Sequence, residues 1–255
     1  MKVGTDGVLL GAWTPLPSEH VSKDYVPTLL DIGTGSGLIA LMLAQRCPRA
    51  HITAIDINNE CAHQATLNFA ASPWSKRLTA VCCPLSEWKP ITSDNGTKDQ
   101  RTITNLQSSI INSYDLIVSN PPYFTNSLPN PDAARRTARH DDSLCLTDIM
   151  SFAQRYLTIG GILSLVLPAD AEQTAIANAG QHNLRLYRLT RVCTRAGKQP
   201  KRILIAFSLS TTAQHTGITS CCAKASHPVV DELCLQDSDA PRSEAYSTLT
   251  KDFYL

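Results

Sequence analysis

The feature that most constrains this 255-residue chain is a glycine loop set between a strand and a helix, Leu29-Leu30-Asp31-Ile32-Gly33-Thr34-Gly35-Ser36-Gly37. The apolar run stopped by glycines reads as a buried strand. Leu38, Ile39, Leu41, Met42 and Leu43 read as a helix that Pro48 prevents from continuing. Ligands of open α/β sheets bind at such strand-to-helix turns, and glycines there let backbone meet ligand with no side chain between them. The spacing is Gly-x-Gly-x-Gly, not the Gly-x-Gly-x-x-Gly of dinucleotide folds. No Lys-Ser or Lys-Thr follows, which excludes a phosphate-gripping P-loop. Asp31 would repel phosphate and attract a cationic amino group. Asp56, ending the next strand over His51 to Asp56, is placed to bind ribose hydroxyls. A glycine turn that only packs helix on strand would account for neither acid.

Strands and helices alternate through most of the chain, which predicts an α/β fold with a mostly parallel sheet. Asn58 caps a helix with Ala62, Ala65 and Phe69 on its apolar face. Leu78 to Cys82 is a weaker strand, and Tyr114 to Ser119 a strong one. Thr147 is expected to cap a helix that runs to about Leu157 and ends at Gly160-Gly161. Ile162 to Leu167 is a strand closed by Pro168, and Ala171 to Ala179 looks helical. Leu184 to Cys193 and Ile203 to Leu209 follow with no helix between them, an antiparallel pair closing one edge of the sheet. The polar stretches 91–113 and 211–226 read as surface insertions, because the strands resume in phase after them. Residues 1–255 are therefore expected to form one domain.

A second motif, Ser119-Asn120-Pro121-Pro122-Tyr123-Phe124, follows directly on the strong strand. Two prolines stiffen the backbone, so the Asn120 side chain and the Pro121 carbonyl can both point at one atom. An amino group held by two acceptors has its lone pair aimed away from them, toward an incoming electrophile. Tyr123 supplies a flat face on which a planar base or amide can stack. Isolated, the motif could equally be a Pro-Pro turn capped by Asn; its place on the sheet edge that carries the glycine loop favours chemistry.

Together these residues resemble the class I S-adenosylmethionine-dependent methyltransferases. The resemblance implies a Rossmann-like, mostly parallel seven-stranded sheet with an antiparallel edge strand and helices on both faces. It implies S-adenosylmethionine as cofactor, and methyl transfer to a planar amino nitrogen: adenine N6, cytosine N4, guanine N2 or a glutamine amide. A departure is Val81-Cys82-Cys83-Pro84-Leu85, where the family often has an Asp for the adenine amino group. Pro84 offers no such acceptor, so adenine must be held by backbone or stacking contacts.

The opening Gly4-Thr5-Asp6-Gly7, physically a tight turn with a capping Asp, resembles the segment before the cofactor loop in the bacterial tRNA1(Val) (adenine-37-N6)-methyltransferase family. Leu41-Met42-Leu43-Ala44-Gln45-Arg46, Ser72-Pro73-Trp74, Ser243-Glu244-Ala245-Tyr246 and the tail Leu249 to Leu255 carry the same resemblance. It implies catalytic roles for Asn120, Pro121, Pro122 and Tyr123. It implies cofactor contacts from Thr5, Asp6, Asp31, Gly33, Gly35, Gly37, Asp56 and Ile57, with residues 1–27 beside the cofactor and substrate. Residues around 95–110 depart from that group as a longer loop. Members also carry a short segment before the Gly-Thr-Asp-Gly stretch, so the expectation is that residues precede Met1 in the natural protein.

The partner expected is tRNA. With 23 Lys+Arg against 22 Asp+Glu, the chain does not coat nucleic acid with its whole surface, but its charge is uneven. Arg135, Arg136 and Arg139, with His140, follow the Asn-Pro-Pro-Tyr motif. Arg185, Arg188, Arg191, Arg195, Lys198, Lys201 and Arg202 form a run with no intervening acid. Arg135, Arg136, Arg139, Lys198, Lys201 and Arg202 are the candidate RNA contacts. Nine cysteines without C-x-x-C spacing predict reduced thiols, with neither disulfides nor metal. No apolar run or signal-peptide core points to a membrane, so a cytoplasmic monomer is expected. Three readings compete. Release-factor glutamine methylation would need a helical domain that has no room before Asp31. DNA adenine methylation would need a larger recognition insertion. A non-catalytic RNA-binding protein on this fold would have no use for Asp31, Asp56 and Asn120-Pro121-Pro122-Tyr123 together. His140 and Asp141 could pair as acid and base, but methyl transfer requires no such pair.

Overall fold

A computed structural model describes residues 4–17, 25–90, 114–122, 144–209, 227–237 and 240–254. The chain runs α1 (Thr5–Trp13), β1 (Thr28–Ile32), α2 (Leu38–Arg46), β2 (His51–Asp56), α3 (Asn59–Ala70), β3 (Leu78–Cys82), β4 (Tyr114–Ser119), α4 (Leu146–Tyr156), β5 (Leu157–Pro168), α5 (Glu172–Gln181), β6 (Leu184–Arg195), β7 (Arg202–Leu209), β8 (Val229–Gln236) and α6 (Glu244–Thr250). The sheet order is β3-β2-β1-β4-β5-β7-β6-β8. Strands β1 to β5 pair parallel. β7 runs antiparallel between β5 and β6, and β8 pairs parallel with β6.

Alternation along the central strands feeds two apolar layers. Leu29, Leu116 and Val118 face one side, with Leu9, Leu10 and Trp13 of α1, Leu43 of α2 and Phe69 of α3. Leu30, Ile117 and Leu163 face the other, against Ile149, Met150 and Phe152 of α4 and Ala175 of α5. Every residue of β4 is buried. Each large aliphatic side chain in these layers contributes about 1.5–3 kcal/mol of burial, which makes the paired ends of β1 and β4 a firm platform.

The seven-strand expectation holds for β1 to β7, and β8 extends the edge beyond β6. Val229-Val230-Asp231-Glu232, its first half, is exposed throughout, so no in-out alternation marks it. Three local readings are corrected. Gly4-Thr5-Asp6-Gly7 is not a turn but the first turn of α1, with Gly4 as its N-cap. The glycines of α1 serve helix packing: a Cβ on Gly11 would lie 2.7 Å from Met42 Sδ of α2. The cap of α4 is Cys145, whose sulfur accepts from Asp148 N at 3.4 Å; Thr147 instead accepts from Asn178 Nδ2 at 2.7 Å. Gly160 and Gly161 lie inside β5, not at a helix end. A Cβ on Gly161 would press on Thr158 O at 2.9 Å and Tyr114 O at 3.0 Å, where the β4–β5 register shifts.

Asn58 caps α3 as expected, accepting from Glu60 N at 2.8 Å and Cys61 N at 3.2 Å. The described cysteines are free thiols. Among the described residues no helix is long and apolar enough to cross a membrane. The stretches 91–113 and 211–226 and Tyr123, Arg135, Arg136, Arg139, His140 and Asp141 lie outside the described residues.

Candidate active site

The carboxyl ends of β1, β2 and β4 carry the loops that build one cavity of about 920 Å³. The glycine loop forms its floor. Gly33 N and Thr34 N donate to Ile55 O at 2.9 and 3.0 Å, and Gly37 N closes the turn onto Thr34 O at 3.0 Å. Gly33, Gly35 and Gly37 have φ of +69°, +58° and +82°, values that L side chains resist. At Gly37 space is short as well, since a Cβ would lie 2.5 Å from Phe69 Cε1 of α3. The loop is thus bent by its glycines and clamped by α3.

Asp31 is sealed beneath this loop. It is fully buried, Thr34 Oγ1 donates to its Oδ2 at 2.6 Å, and among the described residues its Oδ1 has no hydrogen-bond partner. Desolvation, with a smaller push from Asp56, raises its carboxyl to about 7. Asp31 does not line the cavity and holds Thr34 from below. Asp56 does stand on the wall. Its Oδ2 accepts from Gly35 N at 2.8 Å and its Oδ1 from Asn58 N at 2.9 Å, bonds that orient the carboxylate while leaving lone pairs for further donors. Beside it Ile57, 48% exposed, gives the wall an open apolar face.

Next to it lies the segment after β3, where Cys83 N donates to Asp56 O at 2.9 Å. Pro84 O accepts from Glu87 N and Trp88 N, both at 3.1 Å. That carbonyl is committed to the local turn, which leaves the faces of Pro84, Leu85 and Ile57 to hold a planar group. At the end of β4, Ser119 Oγ donates to Ile32 O at 2.8 Å and locks the two strand ends together. Asn120 and Pro122 then line the cavity, with Pro121 buried between them in the chain. The glycine loop and the Asn-Pro-Pro segment therefore share one cavity, as the sequence reading required.

Other assigned residues lie elsewhere. Gly4 and Gly7 of α1 line the cavity, but Thr5 and Asp6 do not. Asp6 is held by Arg202 at 2.9 Å. Part of the basic run is neutralised: Arg188 pairs with Asp231 at 3.2 Å and Arg191 with Glu172 at 2.6 Å, whereas Arg195 donates to the uncharged Gln236. Lys198 and Lys201 remain exposed on the β6–β7 hairpin. Because Arg202 pairs with Pro168 in register, that hairpin stands at the carboxyl end of β5, the end that carries the cavity. The sequence reading missed Trp88, Lys89, Asp148, Ser151, Arg155 and Tyr156, all on the wall. A signal existed for the helical ones: 148, 151, 152 and 155 share one face of α4.

A family model described as a methyltransferase domain matches residues 29–99. A tRNA1(Val) (adenine(37)-N6)-methyltransferase from Bacteroides fragilis is 40% identical over 255 residues, covering 100% of this chain and 91% of that protein. The enzyme of the same name from Phocaeicola vulgatus is 39% identical with the same coverage, and that from Aeromonas hydrophila is 36% identical over 256 residues. Among solved structures, a predicted O-methyltransferase from Agrobacterium tumefaciens superposes with a TM-score of 0.61 over 96% of this chain and 95% of that one, at 16% identity. That likeness concerns the fold alone.

Proposed function

The chain belongs to the tRNA1(Val) (adenine(37)-N6)-methyltransferase family of class I methyltransferases, and on that premise we propose that it methylates the exocyclic N6 of an adenine in tRNA, adenosine 37 of valine tRNA, using S-adenosylmethionine. The observation that carries the reading is the single cavity shared by the glycine loop, Asp56 and Asn120. The wall suits the cofactor. Gly33 to Gly35 offer backbone without side chains, Asp56 offers acceptors to ribose hydroxyls, and Ile57 with Leu85 offers apolar faces to adenine. Bound there, S-adenosylmethionine supplies an electrophilic methyl group on a sulfonium.

The chain's own task is alignment. Asn120 Oδ1 and the Pro121 carbonyl accept the two N6 protons, which directs the nitrogen lone pair away from them and across the cavity. Tyr123 stacks on the base. The buried β1–β4 platform fixes Asn120 relative to the glycine loop, so orientation is set before the substrate arrives. The proton lost from N6 passes to water. Lys198 and Lys201, at the cavity end of the sheet, meet tRNA phosphates. Extruding an adenine from a single-stranded anticodon loop costs only about a few kcal/mol.

The test is incubation with methyl-labelled S-adenosylmethionine and total tRNA from a strain lacking the gene, followed by nucleoside analysis. N6-methyladenosine at position 37 of valine tRNA is the expected product. Label confined to protein would replace this reading with glutamine methylation, and no transfer at all would leave an RNA-binding protein on a methyltransferase fold.

A further inference from the structure

The cavity is large for a single ligand. At about 920 Å³ it lies near the top of the usual range for ligand pockets, about 300–1,000 Å³. Its wall includes Trp88 and Lys89 after β3, and one face of α4 formed by Asp148, Ser151, Phe152 and Arg155. Trp88 is held by its own Nε1, which donates to the Tyr114 hydroxyl at 3.0 Å. The Phe152 and Tyr156 rings lie 4.5 Å apart, and the Arg155 guanidinium stands 5.2 Å from the Tyr156 ring centre. Lys89 and Arg155 are exposed. Among the described residues neither is in an ion pair, unlike Arg188, Arg191 and Arg202.

We propose that this wall is a subsite for a nucleotide flanking the methylated adenine, its base stacked on Trp88 and Tyr156 and its phosphates met by Lys89 and Arg155. The proposal rests on the tRNA reading given above. Aromatic faces in a concave wall accept an unstacked base of any identity, whereas a double helix cannot enter. Arg155 adds a flat cation that serves both stacking and phosphate contact. The acid on the same face sets the polarity. Asp148, two turns before Arg155, accepts from the Cys145 thiol at 2.9 Å; a carboxylate there suits a base amino edge and turns phosphate away. The phosphates therefore run at the Arg155 end, and the base edge lies toward Asp148 and Ser151.

The experiment uses the full chain with a stem-loop RNA carrying the valine anticodon loop. RNA binding is followed by fluorescence anisotropy with S-adenosylhomocysteine present, across a salt series, and steady-state methylation is measured beside it. Lys89→Glu with Arg155→Glu is expected to raise the RNA KM by about tenfold or more. It should leave kcat within about twofold and cofactor affinity unchanged, because no assigned contact to cofactor or amine is removed. The slope of log affinity against log salt should fall by about one per cation removed, and Arg155→Lys should keep that slope. An unchanged RNA KM and salt slope in the double variant, beside a wild type that methylates the RNA, would overturn the subsite while leaving the proposed function intact. A wild type that neither binds nor methylates the RNA would overturn both.

Discussion

Arg202 Nε donates to Asp6 Oδ2 at 2.9 Å, joining residues 196 apart in sequence and tying the first turn of α1 to the start of β7. That turn brings Gly4 and Gly7 to the cavity wall. The side chains are 37% and 26% exposed, so the pair stabilises the fold by less than about 1 kcal/mol. Asp6→Ala should lower stability by no more than that, seen as a small shift in thermal unfolding. Cofactor Kd should rise several-fold in the same variant, because the wall loosens. An unchanged Kd in calorimetry would mean that the buried face of α1 holds the turn by itself.

Gly37 and Gly197 separate two costs that are often confounded. Both adopt left-handed φ, +82° and +74°. A Cβ on Gly37 meets Phe69 at 2.5 Å and Ala65 Cβ at 3.2 Å, whereas on Gly197 it meets nothing within 4 Å among the described residues. Gly197→Ala should therefore cost only backbone strain, about 1–2 kcal/mol. Gly37→Ala adds overpacking of about 1–3 kcal/mol and should weaken cofactor binding. Urea unfolding of the two variants checks this, and equal losses would show that α3 yields without cost.

Asp31 should make stability depend on pH. Its carboxyl is raised from 3.8 to about 7 by burial. Between these values the unfolded chain has released the proton and the folded chain retains it. The folded state then binds more protons, so stability falls as pH rises from about 4 to about 7. Asp31→Asn, which cannot ionise, should lack that fall. Urea midpoints of both proteins across the window test it, and parallel curves would sink the assignment.

The β1–α2–β2 unit, the cap at Asn58, the strand before Asn120 and the shared cavity were all legible in the sequence, because each rests on local pattern. Apolar runs, glycines at forced φ and Asn at a cap leave marks within a few residues. What was not legible depended on partners far along the chain. Gly4 to Gly7 carries turn residues, yet α2 packed against Gly7 and Gly11 makes it a helix. The run from Arg185 to Arg202 looked like an RNA surface because its acids, Asp6, Glu172 and Asp231, lie outside that stretch of sequence. The burial of Asp31 is likewise unmarked, because no sequence pattern reveals which side of a loop a carboxylate faces.

Asn120 gives the most direct test of chemistry. It lines the cavity one residue past Ser119, whose hydroxyl is fixed on Ile32 O at 2.8 Å, so the platform anchors the backbone that leads into it. Asn120→Ala should leave fold and cofactor affinity in place. It removes one of the two acceptors that orient the amino group, an interaction realised in the transition state. A loss of about 10²–10³ in kcat is expected, with cofactor Kd unchanged in calorimetry. Asn120→Asp retains an acceptor and should recover part of that rate. A kcat in Asn120→Ala within a few-fold of wild type would remove Asn120 from the reaction and shift the burden to the backbone of Pro121.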